Sequence, residues 1–221
     1  MPRPLGGAAG ERMELDPYYE DFEREFTRAR EFWKLERGQD YAEPGEADWQ
    51  AFNRGDWAES MRLMEGDRAE LAKFHQENAA RGMAARRIRI VALPVTPYLH
   101  WELHALKIRD ETGEDIRVLL DTDIADLEDQ GPLPDIYTID RRVMYQAIYN
   151  DDGVLEHALK YTDGELVSRC RDFIAGLYDR GEPIGSFFER EIAHLPPPRR
   201  AEPALPVDYL ERTGLSHPVP F

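Results

Sequence analysis

Two histidines four residues apart with a glutamate between them, in the stretch "PYLHWELH" at residues 97–104, come nearer to a metal site than any other pattern in this chain. Imidazoles on successive turns of a helix can hold a zinc ion, and a neighbouring carboxylate can then serve as the base for a metal-bound water. That chemistry requires the groups to share one face. At about 3.6 residues per turn, Leu99, Leu103 and Leu106 form an apolar stripe, with His100, His104 and Lys107 on the polar face beside it. Glu102 points roughly 200° away from His100, outside any common coordination shell. The position after the first histidine, where the zincin helix carries its glutamate, is Trp101. Lys107 would also repel a cation. An amphipathic helix is therefore expected, with His100 and His104 as weak metal candidates and no metal or other cofactor. Glu102 itself falls about 60° from Leu99, at the edge of the apolar stripe. A carboxylate there reaches water or pairs with a cation, and Arg89 or Arg117 on neighbouring strands can supply one, as a structural ion pair or as part of a ligand site.

Other chemical motifs are weaker. No Walker loop and no G-x-G-x-x-G after a strand is present, and "GEPIGSF" lacks the G-x-S-x-G of a nucleophile elbow. Asp121, Asp123 and Asp126 resemble a cation loop only in charge, because the glycine and distal glutamate of an EF-hand are missing. Cys170 is the single cysteine, which excludes an intramolecular disulfide, and its setting in "LVSRCRDFIAGL" is that of a packed thiol.

These residues need elements to hold them. The chain has 221 residues, 42% of them hydrophobic, and a net charge of −16 from 44 acidic and 28 basic residues. A field of that sign repels phosphate backbones, so direct nucleic-acid binding over a broad surface is not expected. The exception is "RGMAARRIR", Arg81 to Arg89, with four arginines and no acid: a basic helix-to-strand junction or a phosphate site. With no apolar leader and no run of spanning length, a cytoplasmic, non-membrane protein is expected.

Residues 1–15 are rich in Pro, Gly and Ala and are expected to be disordered. Residues 16–82 read as a helical N-terminal region: Tyr18, Phe22, Phe26 and Trp33 return towards one helical face, with Gly38 as a stop and Trp49, Phe52 and Trp57 as core. Residues 83–192 read as an α/β domain. "RRIRIVALP" is a central strand, and Thr96 caps the next helix with Pro97 in its first turn. "EDIRVLLD", "DIYTID", "RVMYQAIY" and "VLEHALKY" are further strands, the last two joined by a hairpin at Asn150–Asp151–Asp152–Gly153. A closing helix packs Leu166, Cys170, Phe173, Ile174 and Leu177. Residues 193–221 form a Pro-rich, mobile tail. The fold class is α/β with a mixed sheet, a parallel strand–helix–strand step followed by antiparallel strands.

The strand "RIRIV" (Arg87–Val91), the helix with Pro94, Tyr98, Trp101 and Glu102, the strand "GEDIR" (Gly113–Arg117), "LPDIYTID" (Leu133–Asp140) and "FWKLERGQDY" (Phe32–Tyr41) together resemble an actinobacterial family, domain of unknown function 6879, over roughly residues 20–190. That resemblance implies a protein encoded near helix-turn-helix regulators, with no established activity. The same segment is similar to one half of a phospholipase-D-like fold. Its H-x-K-x-x-x-x-D motif, aligned on Asp140, puts Leu133 at the nucleophile and Asp135 at the phosphate-binding lysine, which implies that phosphodiester chemistry is absent.

The leading expectation is a non-catalytic sensor or adaptor. Its cleft would be lined by Tyr98, Glu102, Arg117, Asp135, Tyr137 and Asp140 and would take a small molecule or a protein partner. One alternative is an enzyme using Glu102 with Asp135 or Asp140 as acid and base, which calls for a pocket holding Glu102 beside a second carboxylate. Another is an acidic interaction protein or nucleic-acid mimic. An adaptor calls instead for an exposed apolar patch around Trp49 and Trp57.

Overall fold

The structure is a computed structural model that describes residues 5–198 and Leu205. Its centre is strand β3 (Ala84–Val91), where "RRIRIV" alternates large aliphatic and cationic side chains. A strand has a period of two, so Ile88 and Ile90 go to one face while Arg87 and Arg89 go to the other. β3 lies between two parallel neighbours, β2 (Glu31–Glu36) and β4 (Asp115–Leu120). The rest of the mixed sheet is antiparallel: β5 (Ile136–Ile139), β6 (Val143–Tyr149), β7 (Leu155–Tyr161) and the short β1 (Glu11–Met13) extend it from β2, and β8 (Glu182–Pro183) closes the other edge. The order is β1-β7-β6-β5-β2-β3-β4-β8.

One face is covered by α6 (Gly164–Arg180), capped by Asp163, which accepts from the N–H groups of Glu165 and Leu166. Here Leu35, Ile88, Ile90, Ile136 and Met144 meet Leu166, Cys170, Ile174 and Leu177 in one apolar cluster. The other face carries α1 (Leu15–Thr27) over the β5–β7 end and α5 (Pro97–Thr112) with α7 (Ile184–Glu191) over the β3–β4 end. Between them stands a helical annex of α2 (Ala47–Asn53), α3 (Trp57–Gly66) and α4 (Arg68–Ala80). As expected, Thr96 caps α5 by accepting from Leu99 N–H, with Pro97 in the first turn, and the turn at Asn150–Gly153 joins β6 to β7, Gly153 adopting φ 78°.

The 16–82 region is not wholly helical. The helix expected to run through Trp33 to Gly38 ends at Thr27, and "EFWKLE" forms β2, inside the sheet that the 83–192 region completes. The reason is electrostatic: Lys34 and Glu36 would be poor residues for a central strand, but Glu36 lies between Lys34 of its own strand and Arg87 of β3 and pairs with both, 2.7 Å from each. Glu11–Met13, inside the segment expected to be disordered, pairs with β7. The acidic run Asp121–Leu127 is a 3₁₀ helix rather than a loop. Of the tail, Leu205 is buried against the annex, its N–H and C=O both bonded to the Asn53 amide. Residues 1–4, 199–204 and 206–221 lie outside the described residues. Among the described residues no helix is long and apolar enough to cross a membrane.

Candidate functional site

Between β2–β3, α5 and the annex lies a cavity of about 550 Å³. Its floor is the charged face of the two parallel strands. Arg87 joins two carboxylates at once, donating to Glu114 at 2.8 Å and to Glu36 at 2.7 Å. Lys34 lies 2.7 Å from the other oxygen of Glu36, and Arg109 lies 3.6 Å from Glu114. Arg89, fully buried, donates to Glu102 at 2.8 Å and to the carbonyl of Ile90 at 3.0 Å. Its Nη2 has no hydrogen-bond partner among the described residues. Isolated buried charges are prohibitively costly, and pairing across adjacent strands and α5 is what makes this floor tolerable.

The walls are aromatic. Tyr149 stacks on Tyr41 at 4.5 Å between centroids, Tyr41 meets Tyr98 edge-on at 5.4 Å, and Tyr98 touches Trp101 at 5.5 Å. Phe74 of α4 completes the lining on the other side. At the mouth are carboxylates from the annex and its leading loop: Glu43, Glu46, Asp48, Asp67 and Glu70.

Tyr98 connects mouth to floor. Its hydroxyl is within hydrogen-bond reach of Glu43 and lies 3.2 Å from Glu102. A hydroxyl has one proton to give, so it donates to one carboxylate at a time. Burial pushes Glu43 up to about 8, with Glu102, Glu46 and Asp48 adding to the rise against the hydrogen bond from Tyr98. Burial also raises Glu102 above the usual carboxylate range, against the pull of Arg89. Burial alone would raise Glu36, but Arg87, Lys34 and Arg89 hold it well below that range. Glu114 is likewise lowered, by Arg87 and Arg109 against its burial. Burial lowers Lys34, opposed by Glu36.

Of the six residues expected to share a cleft, the cavity brings together Tyr98 and Glu102. Tyr137 sits on the same face of the sheet, opposite Lys34 in β2, but its hydroxyl is bonded to that of Tyr18 beneath α1. Asp135 accepts from the N–H groups of Arg37 and Gly38, tying β5 to the end of β2. Asp140, at the opposite end of β5 with φ 53°, accepts from the N–H groups of Arg30 and Glu31. Arg117 is on the far face, stacked on Tyr178 of α6 at 4.6 Å, because it alternates with Ile116 and Val118, which face α5 and α7. Leu133 is also beneath α6. Leu133, Asp135 and Asp140 thus occupy three separate environments.

The histidine pair is not on a wet face. His100 is buried and His104 half-buried, and both rings pack on Trp57, His104 also meeting Phe188 edge-on at 4.8 Å. Burial lowers both, His104 to about 4 with help from His100 and Lys107. Among the described residues no group of three or more His, Cys, Asp or Glu could hold a metal ion. The arginine-rich junction is also absorbed: Arg81 donates to carbonyls of Phe26, Thr27 and Ala29 at the end of α1, and Arg86 lies over the Trp33 ring.

The annex that roofs this cavity, the strands that floor it and α6 behind them all fall within residues 20–189, which match the model of Domain of unknown function (DUF6879). The chain belongs to that family. Comparison with curated proteins gives no match. The DUF6879 domain therefore includes both β2 and the carboxylates of the mouth, Glu43 to Glu70, which a reading confined to the 83–192 region leaves out. Sequence reasoning missed these mouth residues because nothing in their spacing signals a site. A legible clue to the floor was the alternation in "EFWKLE", which puts Glu36 within reach of the arginines of "RRIR" one strand away.

Proposed function

We propose that this chain is a non-catalytic α/β sensor or adaptor whose signal begins with a small molecule entering the cavity between α5, the annex and β2–β3. Its volume lies in the range of roughly 300–1,000 Å³ usual for small-molecule sites, and aromatic walls with a few convergent polar groups are the usual lining. The observation that carries the reading is the state of the floor: Lys34 and Arg87 on it, and Arg89 buried behind it, are each bound to carboxylates of the protein itself. A floor so committed can position a ligand but has little to spend on bond breaking. Occupancy would favour one arrangement of the annex over others, a population shift that a partner reads. Action beside a transcriptional regulator in an actinobacterium rests on the family resemblance alone. The docking version of the reading, through an apolar patch at Trp49 and Trp57, has less support: Trp49 is 1% exposed, and Leu93 is the large exposed apolar residue among those described.

A fragment screen followed by tryptophan fluorescence tests this, since Trp101 lines the cavity. Ala105→Trp on α5 would fill it. Fragments should bind the wild-type chain and lose binding to this variant while its circular dichroism is retained. Equal binding to both would remove the cavity from the proposal.

A second reading has one observation in its favour. Glu43 and Glu102, both raised and both within reach of the Tyr98 hydroxyl, are the paired carboxylates that an acid–base enzyme calls for, with Glu43 in place of Asp135 or Asp140. Incubating each bound fragment with the protein and following its mass decides between them. Conversion that disappears in both Glu43→Gln and Glu102→Gln would establish the enzyme and end the sensor reading.

A further inference from the structure

The charges around the cavity are not evenly matched. Its lining contains three basic side chains, Lys34, Arg87 and Arg109, and each is ion-paired to Glu36 or Glu114. On the acidic side, Glu43, Asp48, Asp67 and Glu70 make no ion pair among the described residues. An incoming anion would have to displace a buried carboxylate to reach a cation, whereas an incoming cation meets carboxylates that have no ion pair to break. Arg89 Nη2 does not reverse this, because Arg89 is fully buried and outside the cavity lining.

Part of the acidic mouth has another explanation. Asp48 and Glu70 lie in the first turns of α2 and α4, and Asp67 precedes α4, where negative charge complements the helix dipole. Glu43 has no such role. It lies four residues before α2, is drawn inwards by the Tyr98 hydroxyl, and stands beside Tyr41 and Tyr149 at the head of the aromatic wall. A carboxylate at the head of an aromatic wall attracts ammonium or guanidinium groups through its charge, while the rings of the wall take the body that carries the charge.

We propose that the cavity selects a small organic cation, an amine or guanidine carrying an apolar or aromatic body, with its charged head at Glu43 and its body along Tyr98 and Trp101. This deepens the ligand-binding reading above and rests on it. The groups acting most strongly on Glu43 are Tyr98 and Glu102 from α5, Glu46 from its own loop and Asp48 from α2, while the nearby cation, Arg89, is committed to Glu102 and lies over the Tyr41 ring. Because burial keeps Glu43 protonated up to about pH 8, cation binding near neutrality would also release its proton.

The test uses three probes with one ring and three charges: phenethylamine, 2-phenylethanol and phenylacetate, each titrated calorimetrically into the full chain. Phenethylamine should bind about tenfold or more tightly than the alcohol, and phenylacetate more weakly than either. Glu43→Gln should lower phenethylamine affinity by about tenfold and leave the alcohol unchanged. Should that variant not fold, the exposed pair Asp67→Asn and Glu70→Gln should still weaken the amine and flatten its salt dependence. Equal affinity for amine and alcohol would overturn the cation selectivity and leave the cavity reading standing. Tightest binding of phenylacetate would overturn it in favour of the floor cations. Binding of none of the three, while fragments sensitive to Ala105→Trp still bind, would overturn the proposed ligand class, and loss of those fragments as well would overturn both readings.

Discussion

The two faces of the central strands are made from alternate residues of the same short segments, and they are built on opposite principles. Towards α6, Leu35, Ile88, Ile90 and Ile136 are fully buried against aliphatic partners, so the contact is non-directional and stabilises in proportion to area. Towards α5 and the annex, Lys34, Glu36, Arg87 and Arg89 are held by directional pairs, and the layer above them does not close. A close-packed apolar face leaves no room for a ligand, while a face of fixed charges keeps its side chains extended and leaves space between them. Between the central strands and α6 stability comes from apolar area, and on the other side of the same strands it comes from fixed charge pairs that leave a cavity.

The largest effect that would test this contrast is on Arg87. Replacing it with Met leaves Glu36 and Glu114 buried without their shared cation, for an expected loss of about 3–5 kcal/mol in urea unfolding. The loss should depend on pH. Both carboxyls are held below their usual range in the folded chain, so the stability they contribute is present above about pH 4.5 and disappears as pH falls through their folded values. The Arg87→Met penalty should therefore be full at pH 7 and shrink on acidification. On the α6 side, Ile174→Ala should cost about 2–4 kcal/mol by creating a cavity, by the same amount at neutral pH as at about pH 3. Equal pH dependence for the two variants would erase the distinction between the faces.

What was legible was local. Alternation in "RRIRIV", the capped start at Thr96–Pro97, the turn at Asn150–Gly153 and the apolar stripe of α6 are local signals, and each corresponds to an element in the structure. The polar face was legible only in fragments. Glu102 was assigned to a pair with Arg89 or Arg117, and alternation along β4 decides for Arg89 by turning Arg117 towards Tyr178. β2 was hidden because aromatic spacing from Phe22 to Trp33 imitates a helix, and because its charged residues make sense only once Arg87 and Arg89 are known to lie beside them. The mouth was hidden more deeply: Glu43 and Glu70 come from segments whose approach to α5 is a tertiary fact.

Glu43 offers a smaller effect of opposite sign. Its carboxyl is raised from 4.5 to about 8, so the folded chain holds a proton that the unfolded chain has released across that interval. A raised acid costs stability as pH climbs: its contribution is fully favourable below about 4.5 and is lost on the way up through about 8. Glu43→Gln removes that dependence. The variant should match wild type at pH 4 and exceed its Tm by several degrees at pH 8. A lower Tm at pH 8 would show that the Glu43–Tyr98 contact stabilises the ionised form, and that the mouth is organised differently from the raised, protonated carboxyl described here.

The smallest effect compares two helix caps, one on each face. Asp163 caps α6, accepting from Glu165 and Leu166 N–H at 2.9 Å each. Thr96 caps α5, accepting from Leu99 N–H at 3.0 Å, and its hydroxyl also donates to the carbonyl of Gln39 at 2.7 Å. Asp163→Ala and Thr96→Ala should each cost about 1 kcal/mol. Their consequences for binding should differ, because Gln39 belongs to the loop that leads to Tyr41 and Glu43, and it is fastened again by bonds to the backbone of Ile90 and Ala92. Thr96 therefore fixes the cavity wall to the start of α5 as well as ending the helix, whereas Asp163 touches nothing on that side of the sheet. At matched loss of stability, Thr96→Ala should weaken every probe that binds the cavity and Asp163→Ala none. If both variants weakened binding alike, the two faces would be coupled through the sheet, and the independence of the α6 face from the site would fail at its smallest scale.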